Sequence, residues 1–182
     1  MVVQVQILPA SSNDTVQIVA INNEFINSLD AEGFLVVPYS IKTLTQDMSD
    51  DEISFFVAKD AQSSIRGYIG FARSFDISLV EFMSWESEDS KELFMSVIKN
   101  QHLYIKQVAV TKNYQRMNIG KSLYFHLERL GYPIVVFVAE KPVLNQASLD
   151  FHIALGYKCV GHLFRNEFGR LRGYQSICFV KK

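Results

Sequence analysis

The decapeptide Tyr114-Gln-Arg-Met-Asn-Ile-Gly-Lys-Ser-Leu123 stands between an apolar run, Leu103 to Val110 (LYIKQVAV), and a stretch carrying Leu123, Leu127 and Leu130 at helical spacing. The pattern predicts a strand over 103–110, a tight basic turn, and a helix that starts at Ile119. Such a turn suits phosphate, because the first N–H groups of a helix have no partner within it and point ahead of its first turn. Arg116 and Lys121 bring positive charge to the same spot. Gly120 removes a Cβ where a pyrophosphate would approach closely. In outline this is a site for a nucleotide-bearing cofactor.

The prediction extends in both directions from that turn. Downstream, Pro133 to Ala139 (PIVVFVA) reads as a short, fully buried strand. In Asn145 to Tyr157 (NQASLDFHIALGY), Asn145 suits a helix N-cap and Gly156 the position just past the helix end. Upstream, Val2 to Leu8 alternates as a first strand. Asn13 or Asp14 is placed to cap a helix carrying Ile18, Ile21, Phe25 and Leu29 on one face, which Gly33 ends. A second, short helix is expected from about Ser40 to Met48, then a strand pair, Ile53 to Lys59 and Ile65 to Ser74. Residues 76–100 read as an irregular insert with Leu93, Phe94, Val97 and Ile98 at helix-like spacing. Two antiparallel strands, Tyr157 to Phe164 and Tyr174 to Val180, close the chain. The order βααββ, insert, βαβαββ is mixed α/β, and no linker divides residues 1–182, so a single domain is expected.

The two stretches around the central helices resemble motifs A and B of the Gcn5-related N-acetyltransferase (GNAT) superfamily. Motif A, Q/R-x-x-G-x-G/A, reads here Gln115-Arg-Met-Asn-Ile-Gly120, with Asn118 where the first glycine is usual. Asn tolerates left-handed backbone better than any residue except Gly, so the turn is expected to survive. Motif B, N-x-x-[AS]-x-x-[LF]-Y-x-x-x-G-[FY], is met at Asn145, Ser148, Phe151, Gly156 and Tyr157. The resemblance implies an α/β (mixed α+β) GNAT-like fold: a mostly antiparallel, splayed sheet of about seven strands, flanked by about four or five helices. It implies acetyl-CoA (coenzyme A) as cosubstrate and a primary amine of a small molecule, peptide or protein as acceptor; no metal is expected.

The resemblance also assigns roles. Gln115, Arg116, Met117, Asn118, Ile119, Gly120 and Lys121 form the pyrophosphate cradle. Val108, Ala109 and Val110 offer main-chain groups to the pantetheine arm. Asn145 stands where family members bond the pantetheine amides, beside its plain reading as an N-cap. His152 replaces a tyrosine that serves many members as general acid toward the departing thiolate; a core histidine is the alternative. A thiol near ~8.5 and an imidazolium near ~6.5 make that proton transfer downhill. Gln107 occupies the position of a frequent glutamate base, and an amide cannot accept a proton. A water chain, a carboxylate such as Glu81, Asp51 or Glu52, or no dedicated base at all are the alternatives. The segment Arg165 to Arg172 borders the acceptor site in the family; its three arginines favour a carboxylate-bearing acceptor or simply form a solvated hairpin tip. A CoA-binding module without turnover and a transferase of other acyl groups remain as alternatives.

Composition narrows the partners. A formal net charge of −1 gives no global argument for nucleic acid. No apolar run approaches the ~20 residues that span a bilayer. The start, MVVQVQILPASSND, lacks a signal-peptide pattern, so a cytoplasmic location is expected. Cys159 and Cys178 are too few for a disulfide framework, and the four histidines show no metal-ligand spacing. A homodimer is left open.

Overall fold

Serine caps and alternating apolar runs set the element boundaries. The computed structural model describes residues 4–26 and 33–182. Within them the chain forms β1 (Gln6–Pro9), α1 (Thr15–Ile26), α2 (Ile41–Met48), β2 (Ile53–Lys59), β3 (Ile65–Ala72), β4 (Met83–Trp85), α3 (Glu88–Ile98), β5 (Leu103–Val110), α4 (Ile119–Glu128), β6 (Ile134–Lys141), α5 (Gln146–Ala154), β7 (Lys158–Phe168) and β8 (Leu171–Lys181). The expected strand start at Val2 and the helix position Leu29 lie outside the described residues. Ser11, not Asn13, opens the first helical segment. Its N–H and hydroxyl donate to the Asp14 carboxylate at 2.8 and 3.0 Å, and Lys59 bridges that carboxylate at 2.6 Å. Ser40 and Ser87 cap α2 and α3 through the N–H groups of Thr43 and Ser90.

The strands form one sheet in the order β1-β2-β3-β5-β6-β8-β7-β4, antiparallel except where β5 meets β6. The strand beyond the expected seven is β4. It falls in the segment 76–100 expected to be irregular, which instead holds a 3₁₀ turn (Ile77–Phe82), β4 and α3. β4 reaches β7 because Gly161 has no Cβ to collide with the Ser84 carbonyl. Helices α1 and α2 pack on one face against Val57, Ile65 and Tyr68, and α3 covers the same face near Val135, Val160 and Cys178. Helix α4 lies on the opposite face, over Ile69, Phe71 and Val136, and α5 follows it there. Gly67 allows the close seat of α4, since a Cβ there would stand 2.9 Å from the Ala109 carbonyl and 3.3 Å from Ile119.

The site depends on how β5 and β6 part. They pair only at Leu103 with Ile134 and Tyr104 with Val135. Beyond that, β5 stays with β3 and β6 with β8. A register shift opposite Gly70 and Phe71 leaves Lys106 without a cross-strand partner, and such a bulge bends its strand. The facing edges of both strands are left with backbone groups that the ladder does not use. No described helix is long and apolar enough to cross a membrane.

Candidate active site

The gap between β5 and β6 opens a cleft of about 600 Å³. Its lining comes from both faces of the sheet, so the cleft passes through it. On the α4–α5 side stand Val108, Val110, the 114–121 turn, Ser148 and Phe151. On the other side stand Tyr104, Gln107, Phe137, Leu163, Arg165 and Tyr174, beneath a roof of residues 34–37. The roof is held by the β7–β8 hairpin: Phe34 and Val36 pack on Leu171 and Tyr174. Gly169, at φ +57°, brings the hairpin turn so close that a Cβ would stand 2.7 Å from the Val36 carbonyl. The segment Arg165 to Arg172 is therefore not a loop, because the strands run to Phe168 and resume at Leu171. Arg170 and Arg172 are exposed, whereas Arg165 lines the cleft.

The turn after β5 has the backbone expected of it, and more. Asn118 is left-handed at φ 64° and ψ 8°, as the N-cap of α4. Arg116 is also left-handed, at φ 62°, which nothing in its residue type announces. Asn118 makes no side-chain cap bond, so the first N–H groups of α4 have no side-chain acceptor from that residue. The Arg66 guanidinium sits 4.3 Å over the Tyr114 ring and braces the turn from β3. At Gly120 a Cβ would lie 3.5 Å from the Phe151 ring, ordinary contact, so α4 and α5 meet here with room for a methyl. Gln115, Arg116, Asn118, Ile119, Gly120 and Lys121 all line the cleft, as do Val108, Ala109 and Val110; Met117 does not.

Asn145 caps α5 by accepting from Ser148 N–H at 3.2 Å, and its amide donates to the Phe34 carbonyl at 3.0 Å. It thereby ties α5 to the roof. His152 is 1 % exposed, with Nε2 2.7 Å from the Tyr124 hydroxyl and Nδ1 2.7 Å from the Ser148 carbonyl. A carbonyl only accepts, so Nδ1 carries the proton and Nε2 accepts from the Tyr124 O–H. Burial lowers the His152 pKa to about 4, against the pull of the Ser148 carbonyl. The imidazolium expected as general acid is thus disfavoured near neutrality, and neither nitrogen has a free N–H to offer.

Gln107 is fixed as firmly. Its Oε1 accepts from Tyr68 O–H (2.9 Å) and Asn22 Nδ2 (3.0 Å), and its Nε2 donates to the Val37 carbonyl at 2.6 Å. Asn22 Oδ1 in turn accepts from Tyr39 N–H at 2.9 Å. Asn22 was the readable signal for this network: a polar residue on the apolar face of Ile18, Ile21 and Phe25 must find partners inside. Glu81, Asp51 and Glu52 do not line the cleft, and among the described residues no carboxylate does. The nearby Asp47 is held by Lys106 Nζ (2.7 Å) and Tyr39 O–H (2.8 Å). Among the described residues no group of three His, Cys, Asp or Glu is placed to hold a metal ion. Cys159 and Cys178 are free thiols that do not line the cleft.

The sequence model of the acetyltransferase (GNAT) family matches residues 22–157, a span that contains both motifs and both edges of the cleft. The chain belongs to this family. No curated protein matches it by sequence. Its fold is similar to that of Arabidopsis thaliana NAA60 in complex with acetyl-CoA (TM-score 0.70, 16 % identity, 98 % of each chain covered). It is also similar to an N-acetyltransferase from Staphylococcus aureus Mu50 (TM-score 0.67, 16 % identity, 98 % of each chain). A third similar structure is the ribosomal-protein-S18-alanine N-acetyltransferase from Escherichia coli (TM-score 0.64, 15 % identity, 97 % of this chain and 92 % of that one).

Proposed function

We propose that this GNAT-family chain moves the acetyl group of acetyl-CoA directly to a primary amine. The observation that carries the reading is the cleft through the sheet, with a basic, left-handed turn on one side and a roofed chamber on the other. Acetyl-CoA would occupy the first side and the amine the second, the two meeting where β5 and β6 part. The NAA60 neighbour binds acetyl-CoA, and a bisubstrate analogue in a second complex, which supports two substrates meeting in one site of this fold.

In this reading the amides of the 115–121 turn and the charges of Arg116 and Lys121 hold the phosphates. The open edge of β5 at Val108 to Val110 takes the pantetheine arm, and an N–H there polarises the thioester carbonyl. The neutral amine attacks that carbonyl, the tetrahedral intermediate expels the CoA thiolate, and the new amide loses its extra proton to solvent. Water protonates the thiolate, because His152 is neutral with both nitrogens bonded. His152 is then a positioning residue that locks α5 to α4. With Gln107 an amide held by three groups, the amine enters already deprotonated, which favours acceptors of low pKa.

Those same two residues favour one rival, a CoA-binding module without turnover. Thiol release from acetyl-CoA across an amine panel separates the two. Release that depends on the amine and matches the acetylated product supports transfer. Calorimetric CoA binding with no thiol released from any amine would establish the module.

A further inference from the structure

The chamber opposite the CoA side has a chemistry of its own. Cross-strand register places Leu163 beside Ser176 and Arg165 beside Tyr174, so these four side chains share one face of the β7–β8 hairpin. Phe137 of β6 and Tyr104 of β5 complete an apolar, aromatic wall. Arg165 reaches this space half-buried, its guanidinium 4.8 Å over the Phe168 ring. Stacking holds the cation in place without neutralising it.

Arg165 makes no ion pair among the described residues. Asp76, which senses its charge, is engaged instead with Ser78 N–H and O–H at 3.0 and 2.7 Å. The other cation of the chamber, Lys106, is matched by Asp47 at 2.7 Å. Ser176 Oγ is fully buried in the same wall and has no hydrogen-bond partner. Burial, countered by Arg165, holds the Tyr104 phenol at about 12, so it stays a donor. The chamber therefore offers a planar cation and the Tyr104 hydroxyl set in apolar surface, with no described carboxylate in its lining.

We infer that the acceptor is a primary amine that also carries a carboxylate on an apolar body, an amino-acid-like molecule whose carboxylate pairs with Arg165. A guanidinium fork matches a carboxylate with two parallel N–H···O bonds. The aromatic wall takes the apolar body, which leaves the amine to turn toward the gap between β5 and β6. The inference rests on the acetyltransferase reading and fixes its substrate class.

The test pairs each primary-amine amino acid of the standard set with its decarboxylated amine, scored by thiol release from acetyl-CoA. The best amino acid is expected to exceed its decarboxylated partner in kcat/KM by about 10- to 100-fold, the range of a charge-assisted bond. Arg165→Met should erase that preference while calorimetric CoA binding, and hence the fold, is kept. Arg165→Lys should restore part of it. Equal use of the decarboxylated amine, a preference untouched by Arg165→Met, or the absence of any amino-acid substrate in a protein that binds CoA would each overturn the inference. Failure of the wild type to bind CoA would instead defeat the cofactor reading beneath it.

Discussion

Tyr124 and Ser148 each hold one nitrogen of His152, so within the protein both ring nitrogens of this buried histidine are engaged. Its neutral form is built into the native state, which makes stability depend on pH in a definite direction. The group binds its proton near pH 6.5 when unfolded and near 4 when folded. Between those values the unfolded chain holds the extra proton, so acid favours unfolding. On the order of 3 kcal/mol of stability is present above pH 6.5 and lost as the pH falls toward 4. Denaturation midpoints followed across that window should fall accordingly, and the His152→Phe variant should show a flatter slope. That variant also strands the Tyr124 hydroxyl and should cost about 1–3 kcal/mol at neutral pH. Its turnover per folded molecule should be kept, whereas loss of a proton donor removes about 10²–10⁴-fold. A drop of that size in a folded His152→Phe protein would return the histidine to the chemistry.

At the scale of elements, the turn between β5 and α4 combines two left-handed residues with a glycine in the first turn of the helix. Gly120 faces Phe151 at ordinary contact distance, so the fold itself tolerates a methyl there. Gly120→Ala should therefore stabilise the free protein, by a few tenths to about 1 kcal/mol, because alanine is the better helix residue. It should at the same time weaken CoA binding if the pyrophosphate sits against this turn. Asn118→Gly removes only the small left-handed strain that Asn already tolerates, so it should leave CoA binding intact and change stability by less than about 1 kcal/mol. Thermal melts with and without CoA measure both; a Gly120→Ala protein that binds CoA as before would move the cradle elsewhere. This region was legible because Leu103 to Val110, Asn118 and the leucines of α4 each follow a local rule. β4 was not, since three residues are too few to show alternation and its existence rests on Gly161, far along the chain. The left-handed Arg116 has no local rule to announce it either.

For the whole molecule, the decisive feature is that the cleft has two separately walled sides. The side proposed for CoA is built from consecutive stretches, 108–121 and 145–152, that lie close together in the sequence. The other side is assembled from residue 22 to residue 176 by pairings that no local pattern encodes: Asn22 with Gln107, Gln107 with Val37, Asn145 with Phe34, and the hairpin tip with the roof. Gln107 and Arg165 both line the cleft, but nothing in their local sequence shows what they touch. If the sides are independent, damage to the roof should act on one substrate only. Gly169 is the place to test this, because its φ of +57° and the 2.7 Å approach to the Val36 carbonyl leave no room for a side chain. Gly169→Val should cost about 1–3 kcal/mol of stability and push the hairpin tip off residues 34–36. The KM for the amine should then rise while the affinity for CoA, bound to the turn on the far face, stays within error of the wild type. The reverse pattern, with CoA binding lost and the amine KM unchanged, would mean that the roof belongs to the cofactor. Equal loss of both would mean that the two sides move as one.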